Sequence, residues 1–333
     1  MLGRAELIKS VLHGVECYWL SILPIPVGVR EKVNQLCRNF LWSGKATVNK
    51  KPLVAWKEVT LPKHEGGLGI RNTKAWNKAL ISKTLWDIQA KKDSLWVQWI
   101  HQIYMSHVNF WDYKNRHEDS PLLKQIVALR DEIIETEGSI ENAILRLNQW
   151  APNGQLQSRL AYEFFRPRIA KNAWSKLVWH SSITPKHSFI LWLGLKDRLR
   201  TRDKLQDFIE DLTCPLCMAE NENMDHLFFR CQEVYQIWAS IKSWLGISRA
   251  MHTLKAAVKW LIKEARGTGF PAKFKKITFA CTVYYIWVAR NKRIFEGKIE
   301  HPEAILRRIQ IHAYRSIFSL FPDFRPEACN LFD

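Results

Sequence analysis

No stretch of this 333-residue sequence reaches the roughly 18 consecutive apolar residues that a membrane-spanning helix needs. The nearest candidate, Ile277 to Ala289, is too short and is interrupted by Thr278 and Thr282. The N-terminus lacks a secretory-signal layout, because Arg4, Glu6 and Lys9 break up its apolar residues. With neither feature, the chain is expected to stay in a reducing compartment, where its seven cysteines are thiols or metal ligands rather than disulfides. Fixed-period repeats and low-complexity tracts are also missing, which sets aside solenoids and compositionally biased segments.

Acidic residues are the scarcer charge, 32 Asp and Glu against 50 Lys and Arg, for a net +18. A field of that sign attracts polyanions, with nucleic acid first and anionic membrane second. Hydrophobic residues make up 47% of the chain, a globular composition. Its 16 tryptophans are read as packing anchors rather than ligand-stacking platforms.

Periodicity points to a mainly α protein, with a bundle-like helical N-terminal region followed by a helical zinc-stapled domain. Leu7, Ile8, Val11, Leu12 and Val15 form one helical stripe; Pro24 and Pro26 break it. Val29, Val33, Leu36, Cys37, Phe40 and Leu41 form a second, closed by Gly44. Leu53 to Trp56 reads as a short strand, and Gly66-Gly-Leu-Gly69 as a tight turn. That glycine cluster lacks the spacing and the Lys-Ser/Thr ending of a phosphate loop. Helices are expected after Asn72 or Thr73, after Ser94, from Pro121 to Gly138, and over Ile140 to Leu147. Pro152-Asn-Gly154 is the clearest linker. Beyond it, Trp174 to Trp179, Phe189 to Leu195, His226 to Trp244, Lys273 to Phe295 and Pro302 to Leu320 read as helices, and the tail after Pro322 as loose. The division expected is residues 1–150, 151–250 and 251–333.

The most specific pattern is Cys214-Pro-Leu-Cys217, eight residues, His226, four residues, Cys231. A Cys-x-x-Cys turn aims two thiolates at one ion, and a His and a Cys about a helical turn later close a tetrahedron. Three thiolates and one imidazole leave no open position, so one structural Zn²⁺ is expected. Cys17, Cys37, Cys281 and Cys329 are isolated and read as small buried hydrophobes. Between the metal-ligating cysteines, Glu220, Glu222 and Asp225 face one basic residue, Arg230. The metal loop is therefore a poor phosphate binder and reads as a staple.

Phosphate contacts are expected just before it, at Lys196, Arg198, Arg200, Arg202 and Lys204, opposed by Asp197 and Asp203. Arg166, Arg168, Lys171, Lys186, Lys273, Lys275, Lys276, Arg290, Lys292 and Arg293 are further candidates. Lone histidines such as His64, His101 and His187 are read as surface or packing residues. The clusters Lys50-Lys51 and Lys273 to Lys276 are too thin to fix a nuclear address.

Several of these stretches together resemble the zinc-binding domain of plant LINE-type (non-LTR) reverse transcriptases. They are Trp174-Ser-Lys-Leu-Val-Trp179, Thr184-Pro-Lys-His-Ser-Phe-Ile-Leu-Trp192, Arg198-Leu-Arg-Thr-Arg-Asp-Lys-Leu205, the Cys-x-x-Cys and His226-Leu-Phe-Phe-Arg-Cys231. Ile286-Trp-Val-Ala-Arg-Asn291 with Ile294-Phe295 resembles the same family. So do Gly3-Arg4, Leu7-Ile8-Lys-Ser-Val11, Tyr18-Trp19, Phe40-Leu-Trp-Ser-Gly44 and Gly66-Gly-Leu-Gly69, which are similar to the thumb and connection following the palm. The family's palm carries an aromatic-x-Asp-Asp motif for two-metal chemistry, whereas no two aspartates are adjacent here. The resemblance thus implies the C-terminal part of a retroelement protein without polymerase activity. No nucleophile elbow, open metal site or paired carboxylates suggest an enzyme of another kind. The expected role is a non-catalytic module that binds RNA or DNA backbone. The alternatives are a protein-interaction scaffold, docking for example a polymerase-containing protein, or a non-functional truncated relic.

Overall fold

The computed structural model describes residues 2–23 and 25–322, apart from the side chains of residues 2, 12, 13 and 15–17. The side chains of Leu12, Val15 and Cys17, together with Pro24, Cys329 and the tail beyond Pro322, lie outside the described residues. Among the described residues the protein is helical, with one isolated antiparallel bridge, Thr213 to Asn221, and no strand. The mainly α expectation holds. The strand expected at Leu53 to Trp56 does not form: Ala55 is extended, and Trp56–Val59 closes a single helical turn. No neighbouring strand offers its backbone there, so the local turn satisfies the amides instead.

The chain divides into two compact units, one of residues 3–62 and 67–170, the other of residues 1–2, 63–66 and 171–333. The first carries α1 (Leu2–Leu7), a π-helical turn (Ile8–Leu12), α2 (His13–Ile22), α3 (Val27–Ser43), α4 (Trp56–Val59) and α5 (Thr73–Gln89). It continues with α6 (Leu95–Ile103), α7 (Pro121–Glu137), α8 (Ile140–Trp150) and α9 (Ser158–Phe165). Helix α5 is its axis. Trp76, Ala79, Leu80, Ile81, Leu85 and Ile88 are buried on more than one face, as expected of a helix enclosed by neighbours. It packs on α2, α7 and α9. Asn72 and Ser94 cap α5 and α6 by accepting the N–H groups of Ala75 and Val97, and Gly138 ends α7 in the left-handed region.

In this unit the glycine turn is tied to its own chain. Gly67, Leu68 and Gly69 donate their N–H groups to Pro62, Val59 and Leu61 carbonyls at 2.9–3.0 Å. Its amides are therefore spent, which bears out a turn and rules out a phosphate cradle. A Cβ on Gly67 would lie 2.0 Å from the Leu61 carbonyl oxygen, so no other residue fits there.

The second unit carries a 3₁₀ turn (Lys63–Glu65), α10 (Ser175–Val178), α11 (Pro185–Leu195) and a 3₁₀ turn (Arg202–Leu205). A π-helical turn (His226–Arg230) then leads into α12 (Gln232–Trp244), α13 (Leu254–Glu264), α14 (Phe270–Glu296) and α15 (Pro302–Leu320). Helix α14 runs through the centre, against α11, α13 and α15. Fully buried Trp192 donates its indole N–H to the Gly66 carbonyl at 2.9 Å. Trp42, Trp76, Trp111, Trp150, Trp192 and Trp238 are buried, which fits the packing role read for tryptophan; Trp19 and Trp99 stay exposed.

Candidate metal centre

The loop before α12 brings four soft or borderline donors to one point. The ligand atoms of Cys214, Cys217, His226 and Cys231 all lie within 4.8 Å of one another. Cys214 Sγ and Cys231 Sγ are 4.0 Å apart, and Cys217 Sγ is 3.3 Å from His226 Nε2. Edges of about 3.8 and 3.6 Å follow for a tetrahedron with ordinary zinc–sulfur and zinc–nitrogen bonds. The donor set and its spacing fit a structural Zn²⁺, with Cys214, Cys231 and His226 buried and Cys217 half-buried.

Each ligand is placed by an identifiable backbone device. Cys214 donates its N–H to the Glu220 carbonyl at 2.7 Å, while its own carbonyl accepts from Met218 at 2.9 Å. The bridge between Thr213 and Asn221 flanks this loop. Met218 adopts φ of +56°, the left-handed conformation that turns the chain away after the second cysteine. The second pair depends on the π-helical turn. Cys231 donates its N–H to the His226 carbonyl at 2.8 Å, an i to i+5 bond. In an ordinary α-helix residues five apart diverge around the axis; the wider turn brings His226 and Cys231 back to one side. Asn223 starts the turn by accepting the His226 N–H at 2.8 Å.

The surroundings favour deprotonated sulfur and a fixed imidazole. The Cys214 thiol is held below its ordinary value, first by the hydrogen bond with Cys231 and then by the N–H groups of Cys217 and Leu216. Its partner Cys231 is correspondingly pushed up, by Cys214 and by burial. A divalent cation between the two sulfurs would stabilise both as thiolates. His226 Nδ1 lies 3.1 Å from Glu220 Oε2. That carboxylate holds the ring so that Nε2 faces the thiolates, the outer contact usual for metal-bound histidine.

Two acidic residues read from sequence as loop charge therefore have distinct tasks. Glu220 orients His226. Glu222 is buried and its carboxylate takes both Nε and Nη2 of Arg290, at 2.8 and 2.6 Å. Neither role, nor the capping by Asn223, was read from the sequence. Asn three residues before His is the spacing of a helix start and was the available signal.

The basic segment is joined to the same loop. Arg202 donates its backbone N–H to Glu222 Oε2 at 2.7 Å, and Asp203 donates to the Glu222 carbonyl at 3.2 Å. The Arg202 guanidinium binds Asp211 and the Thr213 carbonyl, and Lys204 binds Asp197. Arg198 and Arg200 are exposed, and Lys196 is half-buried. Among the further candidates, Arg166, Lys276 and Arg290 are buried and so do not present phosphate-binding faces; each is held by internal contacts.

Residues 156–238 match the family model for zinc-binding in reverse transcriptase. All four donors fall inside the matched segment. The chain is also similar to an Arabidopsis thaliana protein named "Putative ribonuclease H protein", 40% identical over 102 residues. That alignment covers 31% of this chain and 16% of the relative, so the chain spans a small part of the relative's length. No solved structure matches. No helix among the described residues is long and apolar enough to cross a membrane.

Proposed function

We propose that this chain is a nucleic-acid-binding module of plant LINE-type reverse-transcriptase descent that works without catalytic chemistry of its own. In this reading one structural Zn²⁺ on Cys214, Cys217, His226 and Cys231 fixes the loop to which the basic segment is bound. The observation that carries it is the joint at Glu222, whose carboxylate and carbonyl take the N–H groups of Arg202 and Asp203. A folded metal loop thereby sets the course of the chain through Lys196, Arg198, Arg200, Arg202 and Lys204. Arg198 and Arg200, exposed at the start of that segment, are the residues proposed to meet phosphate first. Lys196 is a flanking contact, and Arg202 and Lys204 shape the segment through their acidic partners. The net charge of +18 supports a polyanionic partner, RNA or DNA.

Binding of single- and double-stranded RNA and DNA, followed by anisotropy between about 50 and 200 mM salt, tests the proposal. Affinity that falls steeply with salt supports it. No binding at low salt, or a flat salt response, overturns it.

A protein-interaction role has one specific observation in its favour. Tyr18, Trp19, Ile22, Val27 and Val29 on α2 and α3 are exposed, an apolar group of the kind that docks partners such as a polymerase-containing protein. Monomeric, monodisperse behaviour at high concentration without any partner counts against it.

A further inference from the structure

A second group of metal-type donors lies elsewhere in the zinc-bearing unit, on three helices. His187 on α11, Cys281 on α14 and His312 on α15 bring one ligand atom each within 4.8 Å of one another. Cys281 Sγ is 3.4 Å from His187 Nδ1, close to the edge of about 3.6 Å expected when sulfur and imidazole nitrogen share one ion. The two imidazole rings are 4.4 Å apart, centre to centre.

Hydrogen bonding alone leaves this group incomplete. His187 is 1% exposed and Cys281 0%, and His187 Nε2 is buried without a partner. If the thiol donates to Nδ1, then Nε2 carries a proton with no acceptor. If Nδ1 donates to sulfur, the Nε2 lone pair meets no donor. Either arrangement leaves Nε2 unmet, at a cost of about 1–3 kcal/mol, and a metal on Nδ1 leaves it so as well; the orphan shows that hydrogen bonding did not shape this cluster, while the case for a metal rests on the converging Nδ1, Sγ and His312 donors. His312 is better supplied: its Nε2 is 3.1 Å from Thr184 Oγ1 and its Nδ1 3.2 Å from Tyr285 Oη. Those hydroxyls suit the outer contact that orients a metal-bound imidazole, since whichever nitrogen binds, the other keeps an oxygen partner.

We infer that His187, Cys281 and His312 form a second metal site, for a thiophilic d¹⁰ ion of the zinc(II) or copper(I) type, tying α11, α14 and α15 together. One thiolate and two imidazoles are a donor set for zinc and copper and a poor one for calcium or magnesium. Binding forms a metal–sulfur bond, and the Cys281 proton passes to solvent. Burial keeps both partners neutral beforehand, with His187 lowered to about 3 and Cys281 raised to about 12. This site shares no donor with the Cys214 loop and does not depend on the nucleic-acid reading.

The test is metal titration of the full chain after metal removal, with cobalt(II) as the spectroscopic probe for zinc(II), and copper(I) in a separate arm. Two equivalents are expected in one arm or the other, the second giving a one-thiolate charge-transfer band distinct from the three-thiolate band of the Cys214 site. Cys281→Ser and, at a half-buried position, His312→Asn should each remove the second equivalent while leaving the three-thiolate band and the far-UV circular dichroism in place. A second equivalent with cobalt assigns the site to zinc(II); one with copper(I) alone assigns it to copper. A single equivalent in both arms, or a second equivalent that survives both substitutions, overturns the inference.

Discussion

Glu222, in the metal loop, and Arg290, near the end of α14, form a buried two-point ion pair 68 residues apart in sequence. The carboxylate is 0% exposed and the guanidinium 4%, and a third hydrogen bond reaches Glu222 from the Arg202 N–H. Both carboxylate oxygens are thus engaged, which a buried charge requires. Glu222→Ala leaves Arg290 charged in the interior without its counter-ion, held only by Asn291 Oδ1 and the Trp287 ring, and should cost about 3–5 kcal/mol. Chemical denaturation measures it. The double replacement Glu222→Met with Arg290→Met should recover most of that loss, because two apolar side chains leave no charge stranded. A single-variant loss below about 1 kcal/mol would place the pair among exposed ion pairs and contradict the geometry.

Glu220 acts on metal affinity rather than on packing. Its side chain is 69% exposed yet reaches His226 Nδ1 at 3.1 Å. Removing such an outer partner commonly weakens metal binding by about 10–100-fold. Glu220→Ala should therefore lower zinc affinity in chelator competition by that order, with little change in the metal-loaded fold. An unaltered zinc affinity would show that the ring is positioned by Asn223 and the π-helical turn alone.

Local signals account for much of what was readable in advance. Pro302 to Leu320 is read and found as one helix, and Asn72, Ser94 and Gly138 cap where their chemistry indicates. The four metal donors come together as their spacing suggests. Besides the short α4, two helices were missed for different reasons. Helix α13 has a clear stripe, Leu254, Ala257, Val258 and Leu261, and a capping Thr253, so its signal went unread. Helix α9 is only eight residues long and has no side-chain cap to mark its start, although Ala161, Tyr162, Phe164 and Phe165 do turn toward the core. The run from His226 to Trp244 looked like one α-helix because a 3.6-residue period cannot reveal a π-helical turn. Arg290 looked like a phosphate contact because its partner, far away in sequence, is brought beside it only by the fold.

The corner between α14 and α15 should loosen in acid. Glu300 accepts from Lys292 at 2.8 Å and from Arg308, and is half-buried. Burial alone would push its carboxyl up; the hydrogen bonds from Lys292 and Arg308, with their charges, outweigh it and hold the group below the usual carboxylate range. A folded-state value below the unfolded one means that the unfolded chain takes up a proton first as pH falls. The stabilisation is therefore complete above the unfolded value near 4.5, and declines below it until the folded carboxyl titrates. Urea midpoints should fall from pH 5 to pH 3 in the native protein. Glu300→Gln should show a shallower decline over the same interval. Equal slopes for the two proteins would remove Glu300 from the acid response.

Arg198 and Arg200 supply the sharpest division between a phosphate-binding segment and a solvated charged face. Each phosphate contact on duplex DNA contributes about 0.9 to the slope of log affinity against log salt. If both arginines touch phosphate, Arg198→Ala with Arg200→Ala should reduce that slope by about 2 and weaken binding evenly across sequences. Arg202→Ala is predicted to behave differently, since its guanidinium already holds Asp211 and the Thr213 carbonyl beside the metal loop. Its loss should disturb the course of the segment, lowering affinity together with thermal stability, whereas the Arg198 and Arg200 pair changes affinity and salt slope alone. A double variant with native salt slope would mean that these exposed charges do no more than keep the surface solvated, and that any phosphate contact lies elsewhere.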